Sequence, residues 1–242
     1  MLGVSLMLTA AALAGDRPAP IPQIKTGDQL IQAMHDRYPK WYKKLSFVQR
    51  AIYPDGRPEE EWWEAALIPG RLRIDVAPVD SGRTIIYKGD SNFVFQKGKP
   101  ARAAKARNIL AIMAFDVYLQ PADRTRELVR EEGFDLGHLR EEKWNGSPAY
   151  VIGSAGKELW IEKKRLLLVR VLQTGPDGAA SDISFDKFQP LGGGWIGTQV
   201  LFVRGGKEVF REVYRDWKVN DAVSDELFKT DSWQRAAWIP KG

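Results

Sequence analysis

Few side chains in this sequence could do chemistry near neutral pH. Histidine occurs twice, at His35 and His138, and imidazole is the side chain that titrates unaided in that range. His35 sits beside Asp36 on a stretch with helical spacing, and His138 lies far along the chain between elements. Neither belongs to a metal-ligand spacing, so both are expected at the surface. Glu59-Glu60-Glu61 and Glu131-Glu132 gather carboxylates, but neighbours on a strand point to opposite faces and do not form an acid–base dyad. Solvated edges are expected for both runs. No HExxH, phosphate loop, dinucleotide fingerprint or nucleophile elbow occurs. Gly192-Gly193-Gly194 precedes a strand, whereas a phosphate cradle opens a helix, so a flexible turn is expected there. Cysteine is absent, which removes disulfides, thiolate metal sites and acylation of an N-terminal cysteine. The residue types point away from an enzyme and imply no cofactor and no metal.

The patterning points instead to an apolar cavity. From Leu45 onward the hydrophobic period is two. Strands are expected at 45–50, 59–68, 71–77, 84–88 and 92–96. They resume at 139–144, 149–153, 157–162, 166–173, 181–188, 195–203 and 208–219. Asn145-Gly146 and Gly205-Gly206 are hairpin signals. Arg71 to Ala77 alternates most cleanly: Leu72, Ile74 and Val76 form one face, and Arg71, Arg73 and Asp75 the other, where Arg73 is expected to matter little. Between the two strand sets, Ala101 to Leu119 reads as a helix, with Ile109, Leu110, Ile112, Met113, Val117 and Tyr118 around much of its circumference. Pro121 restarts a second helix through Val129. A short helix over Gln29 to Arg37 precedes all the strands, and Asp221 to Phe228 reads as a helical turn before an aromatic tail with Trp233 and Trp238. A sheet with one apolar face must bury it, and a helix apolar over so wide an arc is deeply buried or lies against a ligand. Trp62 and Trp63 point to opposite faces, and Trp63 is assigned to the concave one.

Met1 to Ala14 is apolar, uncharged and ends in the small-x-small pattern Ala12-Leu13-Ala14. It reads as a secretory signal in preference to a buried N-terminal segment, although no basic residue precedes its apolar run. Residues 15–25 are a proline-rich linker, and 26–242 form a single domain because no further linker interrupts the strands. The net charge of +5 is spread over the chain and survives loss of the leader. It suits a solvated basic surface or transient contact with anionic lipid, and an exported protein meets little nucleic acid.

The order of fragments resembles the outer-membrane lipoprotein-sorting superfamily of LolA and LolB. The fragments are Pro69-Gly70-Arg71-Leu72-Arg73-Ile74-Asp75, Ile86-Tyr87-Lys88-Gly89-Asp90-Ser91 and Gly146-Ser147-Pro148-Ala149-Tyr150. They continue with Glu158-Leu159-Trp160-Ile161-Glu162-Lys163-Lys164, Val219-Asn220-Asp221 and Asp225-Glu226-Leu227-Phe228. The resemblance spans about residues 28 to 230 and marks a divergent member. It implies an α+β, mainly antiparallel fold: an open, curved half-barrel with helices covering the concave face around a cavity for acyl chains. The expected function is a periplasmic carrier or receptor binding lipoprotein acyl chains or another lipid. The alternative is a non-enzymatic cell-envelope interaction module whose cavity its own side chains fill. Trp63, Leu72, Ile74, Val76, Ile109, Leu110, Met113 and Val117 are the candidate cavity residues. Expected partners are lipid, an envelope protein and, transiently, a membrane surface.

Overall fold

Where apolar and polar residues alternate, the chain pairs. The structure, a computed structural model, describes residues 23–175 and 177–240. The leader over Met1–Ala14 and most of the linker lie outside the described residues. Helix α1 (Gly27–Arg37) starts where the Thr26 hydroxyl accepts from the Gln29 amide at 3.2 Å, an N-cap that satisfies one otherwise orphaned donor. Six strands follow: β1 (Lys44–Ile52), β2 (Glu60–Leu67), β3 (Arg71–Val76), β4 (Thr84–Lys88), β5 (Ser91–Gln96) and β6 (Lys99–Lys105). Next come α2 (Ile109–Ala114), a 3-10 turn over Asp116–Tyr118, and α3 (Ala122–Glu131). Seven more strands complete the sheet: β7 (Leu139–Trp144), β8 (Ser147–Ser154), β9 (Lys157–Glu162), β10 (Leu167–Thr174), β11 (Ala180–Leu191), β12 (Gly194–Arg204) and β13 (Lys207–Val219).

All thirteen strands belong to one open antiparallel sheet, ordered β6-β5-β4-β3-β2-β1-β13-β12-β11-β10-β9-β8-β7. The first and last strands therefore meet at its centre, and β6 and β7 lie at opposite edges. The connection between those edges must cross a face of the sheet. It crosses the inner, concave one, where α1, α2 and α3 share the main core with Leu45, Phe47, Leu72, Ile74, Ile152 and Leu168. Three tyrosines fasten this layer to the strands. Tyr38, Tyr42 and Tyr118 donate to the carbonyls of Arg165, Trp195 and Leu166 at 2.7 to 2.8 Å.

The helix expected over Ala101–Leu119 is much shorter, and its first part is the edge strand β6. Lys97 and Gly98 hold φ at 51° and 68°, the left-handed pair that a tight hairpin turn needs. Pairing with β5 then overrides the helix propensity of the alanines. Both edge strands are charged, with Lys99, Arg102 and Lys105 on β6 and Arg140, Glu141, Glu142 and Lys143 on β7, which discourages pairing with other chains. Gly192–Gly194 is not a loose turn. A Cβ on Gly194 would lie 2.3 Å from the Trp41 ring, and one on Gly193 2.2 Å from the Lys40 carbonyl oxygen, so glycine is what lets this segment dock.

Arg73 and Asp75 also depart from expectation. They occupy the outer face, opposite Leu72 and Ile74, yet are only 2% and 1% exposed. The segment from Val223 to Ile239 covers them, packing Phe228, Trp233, Trp238 and Ile239 on the outer face of β2–β5. Arg73 meets Asp75 through two bonds of 2.8 and 2.9 Å and donates to the carbonyls of Leu227 and Gln234 at 2.9 and 2.5 Å. Asp75 also accepts from Thr84, whose hydroxyl in turn accepts from the Trp233 indole at 2.8 Å. A buried ion pair is costly to halve, because the surviving charge stays desolvated. Arg73→Gln is expected to lower stability by about 3–5 kcal/mol in urea unfolding and to release the tail to proteolysis. A loss below about 1 kcal/mol, the range of exposed pairs, would show that the network does not hold the tail.

Candidate ligand-binding site

Residues opposite one another in antiparallel strands share a face, so the register decides what looks inward. Trp62 pairs with Val76 and Gln49, Glu64 with Ile74 and Phe47, Gln49 with Tyr214, and Ala51 with Glu212. These side chains join Leu72, Ile74 and Val76 on the inner face at the middle of the sheet. Trp63 pairs with Asp75 and lies on the outer face, its ring 5.7 Å from that of Trp238. The concave tryptophan of the pair is Trp62, and the assignment of Trp63 to the cavity is corrected.

Helix α2 lies over this centre. Its N-terminus is capped by the Asn108 side-chain oxygen, which accepts from the amides of Leu110 and Ala111 at 3.1 and 3.2 Å. Just before it, Arg107 bonds Asp90 in the β4–β5 turn at 2.7 Å, and Glu131 and Glu132 at the end of α3 at 2.5 and 3.3 Å. Just after it, the buried Asp116 accepts from the Gly70 amide at 3.0 Å. Polar ties hold both ends, while the middle is wholly apolar. Ile112 and Met113 are buried; Ile109, Leu110, Ala111 and Ala114 are partly exposed, as is Phe115 just beyond.

Three cavities lie beneath and beside α2. The first, about 70 Å³, is bounded by Trp62, Glu64, Ile74, Leu110, Glu212 and Tyr214 among others. The second, about 30 Å³, lies between Ala66, Leu72, Tyr87, Ile112 and Asp116. The third, about 20 Å³, lies between Trp41, Tyr118, Phe185 and Trp195. Phe115 borders all three. It is the residue of the crossing segment that all three cavities share.

Of the expected cavity residues, Leu72, Ile74 and Leu110 line the first cavity. Val76 is buried in the same core, Ile109 packs against it, and Met113 and Val117 are fully buried and border none of the three. The last two are core positions. Residues that the sequence reading passed over are Glu64, Glu212, Gln49, Tyr214 and Phe115. The signal for Glu64 was present, since period two places it on one face with Trp62 and Ala66. Neither histidine borders these cavities: His138 lies in an exposed loop with its Nδ1 2.7 Å from Asp135, whereas His35, expected at the surface, is half-buried on α1 with its Nδ1 unpaired among the described residues. Glu59, Glu60 and Glu61 make exposed or rim ion pairs with Arg50, Arg83 and Arg215, and Glu131 and Glu132 end a helix instead of a strand.

The inner face carries three carboxyls that burial pushes above their ordinary range. Asp116 rises to about 6, because desolvation outweighs the Gly70 amide bond. Glu212 rises to about 7 through desolvation, against the hydrogen bond of 2.6 Å from the Tyr214 hydroxyl. Glu64 is raised well above its ordinary value by desolvation first and by the Glu212 charge second.

No protein-family model and no curated protein matches the sequence. Solved structures do. A LolA superfamily protein from Nitrosomonas europaea superimposes with a TM-score of 0.55 at 18% identity, over 86% of this chain and 99% of that one. A DUF1329 family protein from Desulfovibrio piger matches with a TM-score of 0.57 at 17% identity, over 84% and 95%. The chain has the LolA fold. A Vibrio parahaemolyticus domain described as an outer membrane lipoprotein-sorting protein agrees, with a TM-score of 0.57 at 14% identity over 84% and 95%. In this LolA-like sheet the cavities lie on the concave side, beneath the segment that joins its two edges.

The Asp116 shift has a sign that can be checked. Its folded pKa lies above the unfolded value, so its contribution is fully present below about pH 4 and lost as the pH rises through about 6. Asp116→Asn keeps an oxygen for the Gly70 amide and removes the charge. It is expected to stabilise the protein by about 2–3 kcal/mol near pH 8 and by little near pH 4, measured by urea unfolding at both. An equal effect at the two pH values would refute the assignment.

Proposed function

We propose that the protein is an exported periplasmic carrier or receptor that holds lipoprotein acyl chains, or another lipid, between its concave sheet and α2. The observation that carries this reading is that three cavities on the concave side all border Phe115, at the end of α2. Polar ties at both ends of a helix with a partly exposed apolar middle suit a cover that lifts. The LolA fold supports the reading, as does the name of the Vibrio relative, a lipoprotein-sorting protein. Among the described residues no helix is long and apolar enough to cross a membrane. On this reading Leu72, Ile74, Leu110 and Phe115 touch the chain, Met113 and Val117 anchor the cover, and the role needs no catalysis.

A second reading has its own support. Cavities of about 70, 30 and 20 Å³ fall far below the roughly 300–1,000 Å³ of formed ligand pockets. A non-enzymatic envelope interaction module with a self-filled concave face would look like this. Primary alcohols of increasing chain length separate the two, followed by tryptophan fluorescence. A carrier should gain about 0.8 kcal/mol per methylene, roughly fourfold in affinity, until the space is filled. Phe115→Ala should merge the cavities and extend the chain length at which the gain stops. A flat response in both proteins would leave the interaction module.

A further inference from the structure

Glu64 and Glu212 do nothing for an acyl chain, which asks only for apolar walls. They are 4% and 8% exposed and both border the first cavity. The residues lining the cavity around them come from β1, β2, β3, β11, β13 and the cover, and the polar ones are Gln49, Asn108 and Tyr214. None is cationic. The polar groups are also incompletely paired. Tyr214 donates to Glu212, but no hydrogen bond reaches the Glu64 carboxyl among the described residues. The Gln49 amide nitrogen, a buried donor, leans toward Glu212 and completes no bond of good geometry, which leaves it ready to donate to that carboxyl once a cation draws it into the ionised form. Buried polar groups in folded proteins nearly always find partners, and an exception calls for an unseen one.

We propose that this cavity receives the protonated primary amine of an aliphatic ligand, its nitrogen between the carboxyl oxygens of Glu64 and Glu212 and its chain along Ile74, Leu72 and Leu110. The proposal rests on the carrier reading and adds the polar end of the cargo to it. An ammonium brings three donors and one positive charge to a place with carboxylate acceptors and no cation. A hydroxyl would bring a donor without the charge, and a fatty acid carboxylate would be repelled. Burial keeps the two carboxyls protonated to unusually high pH, so an ammonium must displace a proton to bind. Amine affinity therefore rises with pH through about 7, where Glu212 ionises.

The full chain is titrated with dodecylamine, dodecanol, dodecanoate and the tail-less butylamine, read by tryptophan fluorescence. Near pH 8 dodecylamine should bind at least about tenfold more tightly than dodecanol, with dodecanoate weakest and butylamine undetected. The amine advantage should shrink toward about pH 5 as the carboxyls hold their protons. In a Glu64→Gln, Glu212→Gln double variant the gap should fall to within about threefold, while dodecanol binding, which reports an intact fold, persists. If that variant does not fold, the headgroup and pH series on the natural chain decide alone. Equal binding of amine and alcohol would overturn this proposal and leave the carrier reading. Binding of butylamine as tight as that of dodecylamine would overturn it too. Failure of all four to bind would overturn both.

Discussion

The pairing of β1 with β13 at the middle of the sheet is the constraint from which the rest of the architecture follows. It sends β6 and β7 to opposite edges, so the chain between them has to travel the width of the sheet. A segment that travels over an apolar face must itself be apolar on its inner side and must satisfy its own backbone. Residues 106–138 do this with short helices, an Asn108 cap and side-chain ties at the ends of α2. The cover over the concave face is thus a consequence of strand order. Its short, broken helices follow from bending over a curved surface while seating its own large rings, Phe115 and Tyr118, against that surface.

An open sheet has a second face, and here the chain covers the outer side of β2–β5 with its own C-terminal segment. Burying Arg73 and Asp75 beneath that segment is tolerable because the ion pair is bidentate and its remaining donors reach backbone carbonyls. Toward the opposite edge, the outer face of β7–β10 is covered by side chains instead. Arg170 lies over the rings of Trp144 and Trp160 at 4.6 and 5.1 Å and pairs with Asp182 at 2.6 Å, which keeps polar ends wet while the rings cover Val151 and Val169.

Local chemistry in the sequence carried most of the strands, because alternation and Gly-containing turns are decided within a few residues. Asn145-Gly146 and Gly205-Gly206 announced their hairpins. Lys97-Gly98 did not, since lysine is no turn signal, and the alanines that follow favour helix until β5 offers a partner. The facing of Leu72, Ile74 and Val76 was legible for the same reason as the strands. What lay on the other side of them was not: Arg73 and Asp75 look like a solvated face unless the fold of the distant tail is known. The carboxyl pair was hidden similarly. Glu64 and Glu212 stand far apart in the sequence, and only the β1–β2 and β1–β13 registers bring them to one cavity. Trp63 went to the wrong side because parity fixes which residues share a face without saying which face is concave.

The two faces treat charge in opposite ways, and the difference bears on where the molecule is least stable. Outside, Asp75 has its arginine. Inside, Asp116, Glu64 and Glu212 have hydrogen bonds at best, and burial raises all three. For each, the stabilising contribution is fully present below the unfolded carboxyl pKa and is lost as pH rises through the folded one, near 6 for Asp116 and near 7 for Glu212. Rising pH therefore weakens the inner layer at the end of α2 and beneath its middle. A core filled only for stability would place apolar side chains at these positions. Carboxyls in the middle of an apolar concave face, under the one segment that strand order forces across it, break the local rules of packing where binding sites usually do.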